Sequence, residues 1–220
     1  TSDIHSNIKI KNKLRMMMDN YDFDLVLICG DIGGKIFNAS SMEEFSKKQS
    51  KDYVLFKEEF PEAYYILGND DWFEPMKDNK HIPQANLSNI YGFEYVPYTP
   101  FNTNREGNEN KIMYELSKID VERGKTIIVA HTPPYNARDR IITGEPVGSK
   151  SVRKFIEKKE PLIWACGHIH ESFGVERIGN TYIFNSACRP EMNKFQAWVV
   201  TLNDEMNEVI DYKKIEMECF

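Results

Sequence analysis

Four short apolar runs in this chain are each followed directly by a polar residue that carries an oxygen or nitrogen donor. "LVLICG" (25–30) is followed by Asp31, "YYILG" (64–68) by Asn69, "TIIVA" (126–130) by His131, and "LIWACG" (162–167) by His168, with His170 two positions on. Asp3 and His5 stand at the start, where a first strand is expected to have just ended. Runs of this length, apolar without alternation, suit strands buried on both faces of a parallel sheet, the first expected over 24–30. Between them the periodicity changes. Residues 8–20 place Ile10, Leu14, Met17 and Met18 at helical spacing, and Ser40 or Ser41 is placed to cap a second helix through Glu59, with Phe45, Tyr53 and Phe56 on its apolar face. This β-α-β-α-β alternation predicts parallel strands joined by crossover helices.

Further along, "IYGFEYVPYTPF" predicts short strands and irregular loop, broken by Pro97 and Pro100. A helix is expected over 108–123, and another after Ser149 as N-cap, carrying Val152, Phe155 and Ile156 and stopping near Pro161. "FGVERIGNTYIFNSA" reads as a hairpin around Gly179-Asn180 of type II′, and "QAWVVTL" and "EVIDYKKIEM" as late strands. With no repeat, linker or low-complexity tract, residues 1–220 are expected to form one α/β domain with two sheets.

In open α/β sheets, ligands bind beyond the carboxyl ends of the strands. Five strand ends therefore deliver seven candidate ligands to one edge: Asp3, His5, Asp31, Asn69, His131, His168 and His170. Each alone has an ordinary explanation. Gly68-Asn69 suits a turn, as does Gly-Asp, and a lone histidine is usually a hydrogen-bonded structural residue. Independent turns do not explain why imidazole, carboxylate and amide oxygen recur after every apolar run. That mixture suits borderline divalent metals, and two such ions can clamp an in-line displacement at phosphorus. Only His81, of the five histidines, lies outside the pattern, and its polar surroundings read as surface.

Composition narrows the field. A net charge of −6 over 220 residues argues against a broad nucleic-acid footprint, and the longest apolar runs are strand-sized, too short to span a membrane. Cys29, Cys166, Cys188 and Cys219 are far apart with no CxxC pair, which points to buried free thiols and a reducing, cytoplasmic compartment. The chain opens at Thr1 without methionine, so the first strand is expected to be truncated or very short.

The ordered blocks "SDIHSN", "CGDIGG", "LGNDD", "VAHTPP" and "CGHIH" resemble those of the calcineurin-like metallophosphoesterases over nearly the whole chain, and "HTPPY", "VGSKSVRKFI" and "GHIHES" resemble the small Icc-like members. The resemblance implies a four-layer α/β/β/α sandwich with two divalent metal ions at its top edge, manganese first among candidates that include iron, zinc, cobalt and nickel. It implies that Asp3, His5, Asp31 and His170 hold the first ion, and that Asp31 bridges to a second completed by Asn69, His131 and His168. The implied reaction is hydrolysis of a small phosphodiester or phosphomonoester by a metal-bound hydroxide, with Asp31, Asn69, Asp70 and His131 as catalytic positions.

Two departures stand out. Many members carry histidine after the asparagine, assigned to phosphate contact and leaving-group protonation; here that residue is Asp70, followed by Asp71. A carboxyl with an ordinary pKa of about 4 is a poor acid at neutral pH. The second block lacks the protein-phosphatase arginine, leaving Lys35, Arg138 and Arg140 as candidate electrophiles, each more simply read as a solvated charge. The alternative function is a non-catalytic scaffold, as in the retromer subunit of this fold, although the metal motifs are eroded there and filled here. A nuclease fits poorly with the acidic charge.

Overall fold

The computed structural model describes residues 1–34, 39–77, 79–85 and 87–219. In chain order the elements are α1 (Ile8–Asn20), β1 (Leu27–Cys29), α2 (Met42–Glu59), β2 (Tyr64–Ile66), β3 (Ile90–Phe93), β4 (Val96–Pro97), β5 (Glu106–Gly107) and α3 (Glu109–Leu116). They continue with β6 (Ile127–Ala130), α4 (Lys150–Lys159), β7 (Ile163–Cys166), β8 (Gly174–Ile178), β9 (Thr181–Asn185), β10 (Lys194–Leu202) and β11 (Val209–Glu218). Side chains set the helix starts: Asn7, Ser41, Asn108 and Ser149 each accept a backbone N–H of the first turn.

The period of two along each strand sorts its residues into three cores. Ile28, Tyr65 and Leu67 face the helices α1 and α2, meeting Ile10, Leu14, Met17, Tyr53, Phe56 and Phe60. Their strand neighbours Cys29 and Ile66 face the other way, into a central core shared with Ile127, Val129, Ile163 and Phe184. On β6 and β7 the alternate residues Ile128, Ala130, Trp164 and Cys166 face α3 and α4 through Ile112, Leu116, Val152, Phe155 and Ile156. Three apolar interfaces separate four layers, so the molecule is an α/β/β/α sandwich.

The second sheet runs β3-β6-β7-β9-β8, parallel except for the β8–β9 hairpin. That hairpin turns at Gly179 with φ 58° while Asn180 keeps a negative φ, as type II′ requires. The first sheet pairs β1 with β2 in parallel, and β10–β11 is an antiparallel hairpin facing the same two cores. Residues 1–3 lie between. Thr1 donates to the Leu27 carbonyl and accepts from the Cys29 N–H, as a parallel ladder would, while Ser2 bridges Ala187.

Some boundaries differ from the sequence reading. The strand expected over 24–30 is regular only across Leu27–Cys29, and the helix expected over 108–123 stops at Leu116. Past Ser117 the chain turns so that Ile119 and Val121 pack against the α3–α4 core. His81 is not a surface residue. It is 5% exposed, forms a bridge beside Tyr65 on the free edge of β2, and its Nε2 lies 2.6 Å from Glu94 Oε1. A backbone pairing invisible in the local composition draws it inward.

Phe184 sits between the sheets against Trp198 and Tyr212. Phe184→Ala should cost about 3–5 kcal/mol of stability, read from denaturant unfolding.

Candidate metal centre

The expected ligands converge at the carboxyl ends of the strands, on backbone that few residues tolerate. Asp3, His5, Asp31 and His168 all have left-handed φ values, of 57°, 47°, 53° and 67°. Each costs on the order of 1 kcal/mol or more and persists only where the surroundings fix it. Here Asp3 and His5 donate backbone N–H groups to the Gly30 and Asp31 carbonyls, both at 3.0 Å. The glycines before the ligands serve close approach. A methyl group on Gly68 would overlap the Asp31 carboxylate and lie 2.5 Å from its backbone nitrogen, and one on Gly167 would overlap Ser2 and Asp3.

Asp3, His5 and His170 bring one donor atom each within 4.8 Å of one another, and so do Asp31, His131 and His168. His170 Nε2 is 3.3 Å from Asp3 Oδ1, and His5 Nε2 is 4.0 Å from the same oxygen. Asp31 joins the two groups: its Oδ2 lies 3.7 Å from His5 Nε2 and 3.3 Å from His131 Nε2. Its other oxygen accepts the Asp70 N–H at 2.8 Å, which sets the Asn69–Asp70 turn against it.

Outer contacts aim the donors. His131 Nδ1 lies 2.7 Å from the Cys29 carbonyl, which can only accept, so one proton sits on Nδ1 and the ring, once neutral, offers Nε2 to the site. Asn69 donates its amide N–H to Thr103 Oγ1 at 2.7 Å, leaving Oδ1 inward. Eight buried side-chain atoms among the described residues lack a hydrogen-bond partner, and four of them belong to the candidate ligands: Asp3 Oδ1, His5 Nδ1, Asn69 Oδ1 and His131 Nε2. Of these, Asp3 Oδ1 and His131 Nε2 have ion-pair neighbours at 3.3 Å and Asn69 Oδ1 has none, and this inward set of carboxylate, imidazole and amide donors fits divalent cations.

Electrostatics agree. Burial opposes charge on His131 and His170, yet Asp31 and Asp3 outweigh it and push them up to about 10 and about 9. Burial and then the charge on His131 push His168 down to about 4. Burial would raise Asp3 and Asp31, but their histidines win and hold both carboxyls below the usual range.

Several supporting residues carry no motif. Asp71, the second acid of "GNDD", accepts from the Gly33 and Gly68 N–H groups at 2.7 and 2.8 Å and so staples two blocks together. Arg105 hydrogen-bonds the Gly68 and Asp71 carbonyls and pairs with Glu94. Glu191 Oε2 is 3.2 Å from His170 Nδ1. The doubled acid after Asn69 is the available signal for Asp71; nothing local marks Thr103, Arg105 or Glu191. Asp70 lies with its Oδ2 3.9 Å from His5 Nδ1. Arg138 pairs with Glu176, and Arg140 bonds Gly144 and Asn136, so both are engaged away from the seven candidate ligands. Lys35 lies outside the described residues.

This fold and donor set define a candidate divalent-metal centre at the edge of an α/β/β/α sandwich. The family model for calcineurin-like phosphoesterases matches residues 1–172, and the chain belongs to that family. It is 32% identical over 178 residues to the uncharacterized protein MJ1162 of Methanocaldococcus jannaschii, covering 74% of this chain and 76% of that one. It is 26% identical over 134 residues to the UPF0046 protein K07C11.7 of Caenorhabditis elegans, covering 59% of this chain but only 45% of that relative. Among solved structures, TT1561 of Thermus thermophilus superposes with a TM-score of 0.57 at 13% identity, over 97% of this chain and 96% of that one. A putative 5′-nucleotidase from Staphylococcus aureus superposes with a TM-score of 0.55 at 13% identity, over 99% of this chain and 53% of that one.

With pKa values of about 10 and about 9, His131 and His170 carry protons at neutral pH that they must lose to become ligands. Cation binding should therefore release up to two protons and tighten as pH rises. Calorimetry in buffers of different ionisation enthalpy reads the number directly, and no release would contradict these protonation states.

Proposed function

We propose that this chain hydrolyses a small phosphodiester or phosphomonoester with two divalent cations, manganese foremost. The first is held by Asp3, His5, Asp31 and His170, the second by Asp31, Asn69, His131 and His168. The observation that carries this reading is the position of Asp31 Oδ2, between His5 Nε2 and His131 Nε2 at 3.7 and 3.3 Å. One carboxylate oxygen serving two histidine groups is what a pair of neighbouring cations requires. When bound, the cations supply charge neutralisation at phosphorus and lower the pKa of a water nucleophile.

The chain's own residues orient the centre. Asn69 is aimed by Thr103, His131 by the Cys29 carbonyl, and Asp3 by the His168 N–H at 3.0 Å. The acidic net charge of −6 favours small substrates over nucleic acid. The Staphylococcus aureus neighbour, described as a putative 5′-nucleotidase, adds support for phosphomonoesters. Cys29, Cys166, Cys188 and Cys219 are free and buried, consistent with a reducing, cytoplasmic setting, and among the described residues no helix is long and apolar enough to cross a membrane.

A panel of phosphomonoesters, phosphodiesters and cyclic nucleotides, assayed with Mn²⁺, tests the reading; absence of turnover across the panel would contradict it. Asp31→Asn should lose cation and activity together, by more than the roughly 10–100-fold expected for an outer partner. Two metals retained per chain in that variant, measured by elemental analysis, would count against the assignment.

Asp70 generates a separate expectation. With no imidazolium at this position, departure of the leaving group goes unassisted, so activated aryl esters should be cleaved much faster than alkyl esters. Asp70→His, compared at saturating metal, should help the poor leaving groups by up to roughly 10²-fold. Rates plotted against leaving-group pKa decide it; a native enzyme already insensitive to that pKa has another acid.

A further inference from the structure

The proposed centre uses one nitrogen of each histidine, and what the other nitrogen meets differs between its halves. In the first half, His170 points Nε2 at Asp3 Oδ1 and Nδ1 at Glu191 Oε2, at 3.3 and 3.2 Å. His5 turns Nε2 toward Asp31 and Asp3, and its Nδ1, which has no hydrogen-bond partner, faces Asp70 Oδ2 across an ion-pair separation of 3.9 Å. In the second half, His131 Nδ1 meets the neutral Cys29 carbonyl and Asn69 meets the Thr103 hydroxyl, both at 2.7 Å. Among the described residues, no carboxylate from outside the ligand set pairs with His131 or His168.

We propose that Glu191 and Asp70 are positioning residues, outer carboxylates that act on the first site, Glu191 through its hydrogen bond to His170 and Asp70 through its charge beside His5, so that the first site binds tightly and fills before the second. This rests on the two-cation reading above. Within hydrogen-bond reach of His170, Glu191 fixes that ring's tautomer and raises its basicity, while Asp70 faces His5 as a nearby charge. Two extra negative charges behind the first site also attract its cation more strongly than the neutral partners behind the second.

Both acids are held in place. Glu191 Oε1 accepts from Arg189 Nε at 3.0 Å, on the short turn Pro190–Met192. Asp70 is fixed through its backbone, its N–H on Asp31 Oδ1 and its carbonyl on Gln49 Nε2, both at 2.8 Å. Glu191 lies beyond the residues 1–172 that the family model matches. The rival role for Asp70 is direct ligation, since His5, Asp31 and Asp70 also bring donor atoms within 4.8 Å of one another.

The test titrates metal-free wild type, Asp70→Asn and Glu191→Gln with Co²⁺, followed by calorimetry and visible absorption. Wild type should bind in two resolved steps. Each variant should weaken the tighter step by roughly 10–100-fold and leave the weaker one in place. The absorption band of the first equivalent should keep its intensity, because no ligand is lost. Asp70→Glu and Glu191→Asp, which restore the carboxylate, should recover part of the affinity, whereas a purely structural defect would not respond to charge. An unchanged tighter step, or equal weakening of both, overturns the proposal. A changed first-equivalent band in Asp70→Asn makes Asp70 a direct ligand and overturns its outer role. Wild type binding no cobalt instead fails the two-cation reading itself.

Discussion

The site depends on one carboxylate held from two sides. Asp31 has a left-handed backbone, accepts the Asp70 N–H on one oxygen, and turns the other between two imidazoles. That arrangement exists only because β1 and β2 are adjacent parallel strands with Cys29 opposite Ile66, which carries the chain after each strand to the same height. Gly68 then lets the second chain segment pass against Asp31 with no side chain between them. Asp71 closes the junction by accepting one N–H from each block. The two acids after Asn69 therefore divide their work. Asp71 joins the loops, while Asp70 presents its backbone to Asp31 and its side chain to His5.

The second sheet contributes through the same geometry. β6 and β7 run parallel, and the Gly167 N–H reaches the His131 carbonyl at 3.1 Å, so both strands deliver histidine at one level. Two hydrogen bonds then register the sheets against each other at the site. His131 Nδ1 meets the Cys29 carbonyl of the first sheet, and the His168 N–H meets Asp3 Oδ2. The central core of Cys29, Ile66, Val129 and Phe184 lies just beneath. Apolar packing sets the sheet separation, and these polar contacts fix the alignment that apolar packing alone leaves loose.

Much of this is legible in the chain because the relevant signals are local. Apolar runs ending in Gly-Asp, Gly-Asn, Ala-His and Gly-His announce strands with polar ends, and parallel topology does the gathering. Ser41 and Ser149 as caps and Gly179-Asn180 as a type II′ turn follow from single-residue chemistry. What stays hidden depends on contacts between distant segments. His81 reads as solvated because its neighbours are polar, yet Tyr65 pairs with it across the sheet edge and Glu94 takes its ring. Glu191 and Thr103 sit in loops with no distinguishing pattern, and only the folded chain places one on His170 and the other on Asn69. Strands read longer in the sequence than they are for a related reason. Apolar residues such as Leu25 and Val26 serve the cores without joining a regular ladder.

The protonation of the centre explains how such a polar cluster can be buried in a folded chain before any cation binds. Isolated buried charges are very costly, and removing one partner of a buried pair costs about 3–5 kcal/mol. Here Asp3 and Asp31 are each matched by a histidine they keep protonated, His170 and His131, so two negative charges face two positive ones. His168, held neutral by burial and by His131, adds no further charge. Opposed charges at these positions lower the cost of burying the cluster. A cation then takes over the role of a proton at a site already shaped by Gly68, Gly167 and four left-handed ligand residues. The left-handed backbone at these four ligands belongs to the fold itself and already gathers the donor atoms within 4.8 Å of one another in each group.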